Sequence, residues 1–153
     1  MIRWISILLL VHLPTLAAAA CSEGVVDLRG DWGQARFQVE ISDDPEERNR
    51  GLMFRESMPR SAGMLFIYEE PQRVAFWMRN TLISLDMIFL DPSGTVTRIH
   101  ENAVPLDETP IPGGNNIQSV LEVNAGIVSL YGIDEGSELR HPGLDQSVAA
   151  WGC

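Results

Sequence analysis

Lysine is absent from this chain: all 11 basic residues are arginine, set against 21 Asp plus Glu, for a formal net charge of −10 at pH 7. So little positive charge is poorly suited to wrapping a phosphate backbone, which sets nucleic acid aside as a partner. Cysteine is nearly absent too. Cys21 and Cys153 are the whole supply, and their positions have neither metal-ligand nor redox spacing. The short motifs of common chemistries are also missing: no nucleophile elbow, no phosphate-cradling glycine loop, no HExxH. There is no internal repeat and no regular alternation of strand and helix of the kind that builds an α/β fold. What remains is 153 residues, 45% hydrophobic and 21% charged. That composition suits one globular domain with its own core rather than a disordered chain.

The first twenty residues read as a secretory signal. Arg3 supplies a positive start, Ile5-Ser6-Ile7-Leu8-Leu9-Leu10-Val11 an apolar run, and Leu16-Ala17-Ala18-Ala19-Ala20 the small residues of a cleavage site. The run is shorter than the ~20 apolar residues of a membrane span. Two fates are open to Cys21. As the first residue after the signal it could be acylated, although the residue three before it is Ala18, a weak lipobox. In an oxidising compartment it could instead pair with Cys153 and close almost the whole mature chain. The two exclude each other. The expected location is periplasmic or secreted, or lipid-anchored in the bacterial envelope if Cys21 is acylated, the one case in which the membrane is touched.

Four segments are expected: a signal over 1–20, a leader or irregular edge over 21–34, a β-rich domain over 35–140 and a tail over 141–153. Ala35, Phe37, Val39 and Ile41 alternate on one face of a strand. Asp44 as N-cap, Pro45 in the first turn, and Glu46 and Glu47 at the positive end of the dipole start a short helix that Gly51 can stop. A strand over 64–68 is expected to end at Glu69-Glu70-Pro71, and another to run over 73–78. Residues 85–90 and 95–100 make a hairpin across Asp91-Pro92-Ser93-Gly94. Residues 101–116, with Pro105, Pro110, Pro112, Gly113 and Gly114, read as one long loop. A strand resumes over 117–123, Asn124 caps a short helix through Tyr131 that Gly132 ends, and a last short strand covers 136–140. His141 reads as an exposed residue of the tail. Many short strands and two small helices favour a mainly β fold, a compact barrel or sandwich.

Over residues 35–140 the chain resembles the family of domains of unknown function called DUF192, or UPF0127. The resemblance is carried by Pro45-Glu46-Glu47-Arg48, Arg50-Gly51-Leu52-Met53-Phe54-Arg55, Gly63-Met64-Leu65-Phe66, Phe76-Trp77-Met78-Arg79-Asn80-Thr81, Leu85-Asp86-Met87-Ile88-Phe89 and Val120-Leu121-Glu122-Val123-Asn124-Ala125-Gly126. It implies a compact, mainly β structure and no established activity.

The polar residues set among apolar neighbours are Arg55, Trp77, Arg79, Asn80, Asp86, His100, Glu122 and Asn124. A buried carboxylate must be paired or hydrogen-bonded, so one reading is an internal ion pair, Arg55 or Arg79 with Asp86 or Glu122. A second is a cleft in which these groups hold an anionic or sugar-like molecule against Trp77, with the 101–116 loop and the Trp77-Met78-Arg79-Asn80 break as its recognition surface. A third is hydrolysis, with Asp86, Glu122 and His100 as acids and bases. Met53, Met58, Met64, Met78 and Met87 with His100 would suit a soft metal such as Cu(I), although methionines in apolar runs mostly fill core space. No cofactor motif is present. The expected role is an exported, non-enzymatic binding or interaction module for a small molecule or a protein.

Overall fold

In a computed structural model, which describes residues 21–153, seven strands form one mixed sheet. The expected signal over 1–20 lies outside the described residues. In chain order the elements are β1 (Val25–Gly30), β2 (Gly33–Ser42), α1 (Pro45–Arg50), β3 (Ala62–Phe76), β4 (Leu85–Leu90), β5 (Val96–Ala103), β6 (Ile111–Asn124), α2 (Ile127–Tyr131) and β7 (Glu138–Arg140). The spatial order is β5-β4-β6-β3-β2-β1-β7, and only β2 and β3 run parallel. The sheet curls into a half-barrel. Its end strands touch where Thr95 bridges Glu138 and the Val96 N–H donates to Ser137 O at 2.8 Å. The fold is mainly β with two short helices.

Side-chain alternation gives each face of the sheet its own core. One face gathers Leu28, Phe37, Leu65, Ile88, Leu121 and Val123 beneath α2. The other gathers Met64, Phe66, Met87, Phe89 and Val120 with Leu52 and Met78. Strand β4 lies between the two cores and is buried at every position, which is why its sequence is nearly continuous in apolar residues.

Several elements differ from the sequence reading. Part of the expected leader is β1, which pairs with both β2 and β7. Glu69-Glu70-Pro71 does not end a strand: β3 runs through it on a bulge, the register passing from Ile67 opposite Ser119 to Gln72 opposite Ile117. Five steps on one strand thus meet two on the other, and Pro71 sits where no ladder N–H is needed. The expected long loop shrinks to residues 104–110, because β5 continues to Ala103 and β6 begins at Ile111. The Phe76 end of β3 offers Ile111, Pro112 and Gly114 a partner, and Gly113 fits because any side chain there would run into the Phe89 ring and Val74.

Asn124 does not cap α2, whose N-cap is Gly126. Its amide instead donates to the carbonyls of Met58 and Pro59, each at 3.0 Å. His141 is buried rather than exposed. One ring nitrogen lies 2.8 Å from Glu23 O and the other accepts from the Gly143 N–H, and burial pushes its pKa down. Cys21 and Cys153 are joined by a disulfide with their Cα atoms 5.6 Å apart. Beside it Trp151 lies between the guanidinium groups of Arg29 and Arg140, each 4.4 Å from the ring centroid.

Candidate functional site

A cleft of about 830 Å³ opens between α1 with its following turn, the middle of β3, and the turn after Phe76. The geometry begins at α1. The Asp44 carboxylate accepts from Glu47 N at 2.9 Å, Pro45 opens the helix, and the Gly51 N–H closes it on Glu47 O at 2.7 Å. Gly51 sits at φ +48°, and a Cβ there would lie 3.2 Å from the Phe66 ring. The helix end can therefore rest directly on the sheet only because this residue is glycine.

Opposite, Phe54 N donates to Asn80 O at 2.8 Å and Leu106 N to Thr81 O at 3.1 Å, while Met78 N donates to Asp107 O at 2.8 Å. These bonds tie the 51–58, 77–84 and 104–110 segments into one rim. Asn80 holds the left-handed conformation at φ 53° and donates weakly to Met53 Sδ. Trp77 stands half exposed on this rim with the Arg79 guanidinium 5.4 Å from its ring centroid. The inner wall is aromatic, Phe66 and Phe76 meeting edge to face at 5.1 Å. On the α1 side Arg48 donates to Ile67 O, pairs with Glu69 at 3.1 Å and covers the Tyr68 ring.

Glu122 lies at the floor. On β6 it shares the face of Val120, and its neighbours in register are Met64 on β3 and Met87 on β4. The residue is 4% exposed, and among the described residues its carboxyl makes no hydrogen bond. Burial pushes its pKa up to about 8, so the carboxyl is neutral at pH 7. Tyr68 is shifted upward as well, first by burial; Arg48 opposes the shift and the charge of Glu122 adds to it.

Of the eight residues singled out from sequence, Trp77, Arg79, Asn80 and Glu122 line this cleft. The other four do not. Arg55 forms a bidentate pair with Glu40, and Asn124 holds the Met58-Pro59 turn. His100 sits on β5 opposite Met87, away from the cleft lining.

Asp86 is fully buried on the other face, where it pairs with no arginine among the described residues. One carboxylate oxygen accepts from Asn102 N and the other from Val128 N, both at 2.9 Å. It thus clamps the β5 bulge to the start of α2, and the expected arginine pair is replaced by two backbone donors. Among the described residues neither Asp86 nor Glu122 has an arginine partner, and Asp86, Glu122 and His100 do not converge. Of the 101–116 segment, Pro110 alone reaches the cleft.

The sequence reading missed Arg48, Arg50, Tyr68 and Phe66. The first two stand in a motif that carried the resemblance, and Tyr68 shares strand parity with Met64 and Phe66. The methionines divide by place. Met64, Met78 and Met87 are buried in one core, Met58 packs against it, and Met53 lines the cleft. Among the described residues no three His, Cys, Asp or Glu side chains gather.

Residues 26–141 match the model of DUF192, a family described as uncharacterized ACR. The chain belongs to the DUF192 family. No curated protein matches it. The solved structures similar to this chain include two. One is a candidate transcription regulator from Sinorhizobium meliloti 1021, with 39% identity, a TM-score of 0.77, and coverage of 84% of this chain and 100% of that one. The other is a protein of unknown function from Novosphingobium aromaticivorans DSM 12444, with 37% identity, a TM-score of 0.74, and coverage of 81% of this chain and 93% of that one. The DUF192 match takes in every residue that lines the cleft.

Proposed function

We propose that this DUF192 domain is an exported, non-enzymatic binding module that takes a small organic molecule into the cleft above Glu122. One observation carries the reading: a glutamate only 4% exposed, its carboxyl without a hydrogen-bond partner among the described residues, at the floor of a cleft with aromatic walls. Buried polar groups are ordinarily satisfied, and one left open toward a cavity is satisfied by what enters. The volume is in the range of clefts that hold drug-sized ligands, roughly 300–1,000 Å³. Catalysis by acid and base needs a second group within hydrogen-bond reach of the same substrate. Among the described residues of the lining Glu122 is the one carboxyl and no histidine stands beside it, while the Tyr68 phenol, pushed above its ordinary value by burial, keeps its proton at neutral pH and is no base. A direct grip on nucleic acid, one way in which a transcription regulator such as the Sinorhizobium relative could act, is opposed by the net charge of −10.

Export rests on Arg3, the apolar run over 5–11 and the alanines before Cys21. Intact mass from the native host checks it: a chain beginning at Cys21, about two mass units below its reduced form, supports export with the disulfide. A diacylglycerol adduct would instead mark a lipid anchor, and retention of residues 1–20 would sink the proposal of export.

The binding reading is tested by a thermal-shift screen of sugars, short peptides, organic acids, Cu(I) and Zn(II) on wild type and Trp77→Ala. A compound that raises the wild-type Tm and raises that of the variant less supports the cleft. A screen in which every shift is equal in the two proteins counts against it.

A further inference from the structure

The cleft is a positive spot on an acidic protein. Its lining carries three arginines, Arg48, Arg50 and Arg79, and one carboxyl, Glu122, in a chain where acids outnumber bases 21 to 11. Arg48 is committed to Glu69 and to two backbone carbonyls. Among the described residues Arg50 and Arg79 form no ion pair, so two cations at the mouth await an opposite charge. We infer that the ligand is a small organic anion with an apolar body, its charged end meeting Arg50 and Arg79 and its body lying on Phe66, Tyr68 and Phe76. This rests on the cleft being a binding site and names the class it admits.

The floor fits the same class. A neutral carboxyl does not repel an anion and offers it one O–H donor, and Glu122 keeps its proton through neutral pH because the apolar face around it disfavours the charge. A cationic ligand would instead draw the proton off and would meet three guanidinium groups on entry. The titratable groups facing Glu122 across the cleft are Arg48 and Arg50 from α1, Tyr68 from β3 and Arg79 from the rim, while β4 presents only Met87. In the pH range where Glu122 titrates the arginines keep their charge, and the Tyr68 phenol, pushed above its ordinary value, keeps its proton. Glu122 is therefore the group whose ionisation changes the cleft.

Three probes of one shape and different charge decide the matter: 2-naphthoate, its neutral amide and its cationic amidine, titrated by calorimetry into the purified protein between pH 6 and 9.5. The expected order at pH 6.5 is naphthoate first, by about tenfold or more over the amidine. Naphthoate affinity should be flat below pH 7 and fall by up to about tenfold per unit above pH 8, as one proton must be regained for binding. Glu122→Gln, which keeps the shape and cannot ionise, should abolish that fall. The exposed double change Arg50→Ala with Arg79→Ala should weaken naphthoate by about tenfold and leave the amide within twofold. Preference for the amidine or the amide, or naphthoate binding that does not change between pH 6 and 9.5 in wild type, would overturn the anion class while leaving a binding cleft in place. If none of the three binds, both the class and the cleft reading fall.

Discussion

Replacing Glu122 by glutamine should stabilise the protein, and by an amount that depends on pH. The carboxyl has an ordinary pKa of 4.5 in the unfolded chain and about 8 in the fold, where burial disfavours its charge. Below pH 4.5 both states hold the proton and the residue costs nothing extra. As pH rises the unfolded chain releases the proton and the folded one keeps it, so stability falls by about 1.36 kcal/mol per unit until the folded carboxyl also ionises near pH 8. The loss accumulates to about 3 kcal/mol at pH 7 and levels off near about 5 kcal/mol above pH 8. Glutamine has the same shape, stays neutral and is no better partnered, so Glu122→Gln should match wild type at pH 4 and exceed it by those amounts at pH 7 and pH 9. Urea unfolding followed by tryptophan fluorescence at the three pH values measures this directly, with an unchanged m-value as the control that the folded state is the same. A difference between variant and wild type that is constant across pH would refute the buried, unpartnered carboxyl. So would a variant less stable than wild type at pH 9.

Asp86→Ala leaves the buried N–H of Val128 without an acceptor and frees the part-buried N–H of Asn102, and should cost about 1 to 3 kcal/mol from the Val128 group alone; an unchanged urea midpoint would deny the clamp its role. Changing Cys21 and Cys153 together to serine releases a closure spanning 132 residues and should cost about 2 to 5 kcal/mol. Because the strands themselves do not depend on that link, the far-ultraviolet circular dichroism should stay that of a β protein, and a collapse of that spectrum would make the disulfide a condition of folding.

The local signals in the sequence were sound wherever structure is decided by neighbours along the chain. Alternation at Ala35, Phe37 and Val39 marks β2 because a half-buried strand needs period two. Asp44, Pro45 and Gly51 bound α1 because caps are chemistry within one turn. The turn at Asp91-Pro92-Ser93-Gly94 pairs β4 with β5. The mainly β class and the DUF192 resemblance followed from the same residues, and of the eight residues first singled out, Trp77, Arg79, Asn80 and Glu122 line the cleft.

What the tertiary structure alone decided is where each buried charge faces and what meets it. Asp86 and Glu122 look alike in sequence, each a carboxyl flanked by apolar residues, yet β4 and β6 turn them to opposite sides of the sheet. On one side two backbone N–H groups, from a bulge and from a helix start distant in sequence, satisfy Asp86. On the other, Glu122 meets only thioethers, rings and an opening. The expected arginine partners go elsewhere, Arg55 to Glu40 and Arg79 over the Trp77 ring, because an ion pair depends on which side chains share a face. Residues 111–116, with Pro112, Gly113 and Gly114, become strand for the same reason: the bulged half of β3 arrives beside them and supplies hydrogen bonds that no local pattern foretells. Sequence determined the elements and the stock of chemical groups, since these depend on a few adjacent residues. The cleft required the fold, because its floor, walls and rim come from four segments that meet only when the sheet has curled.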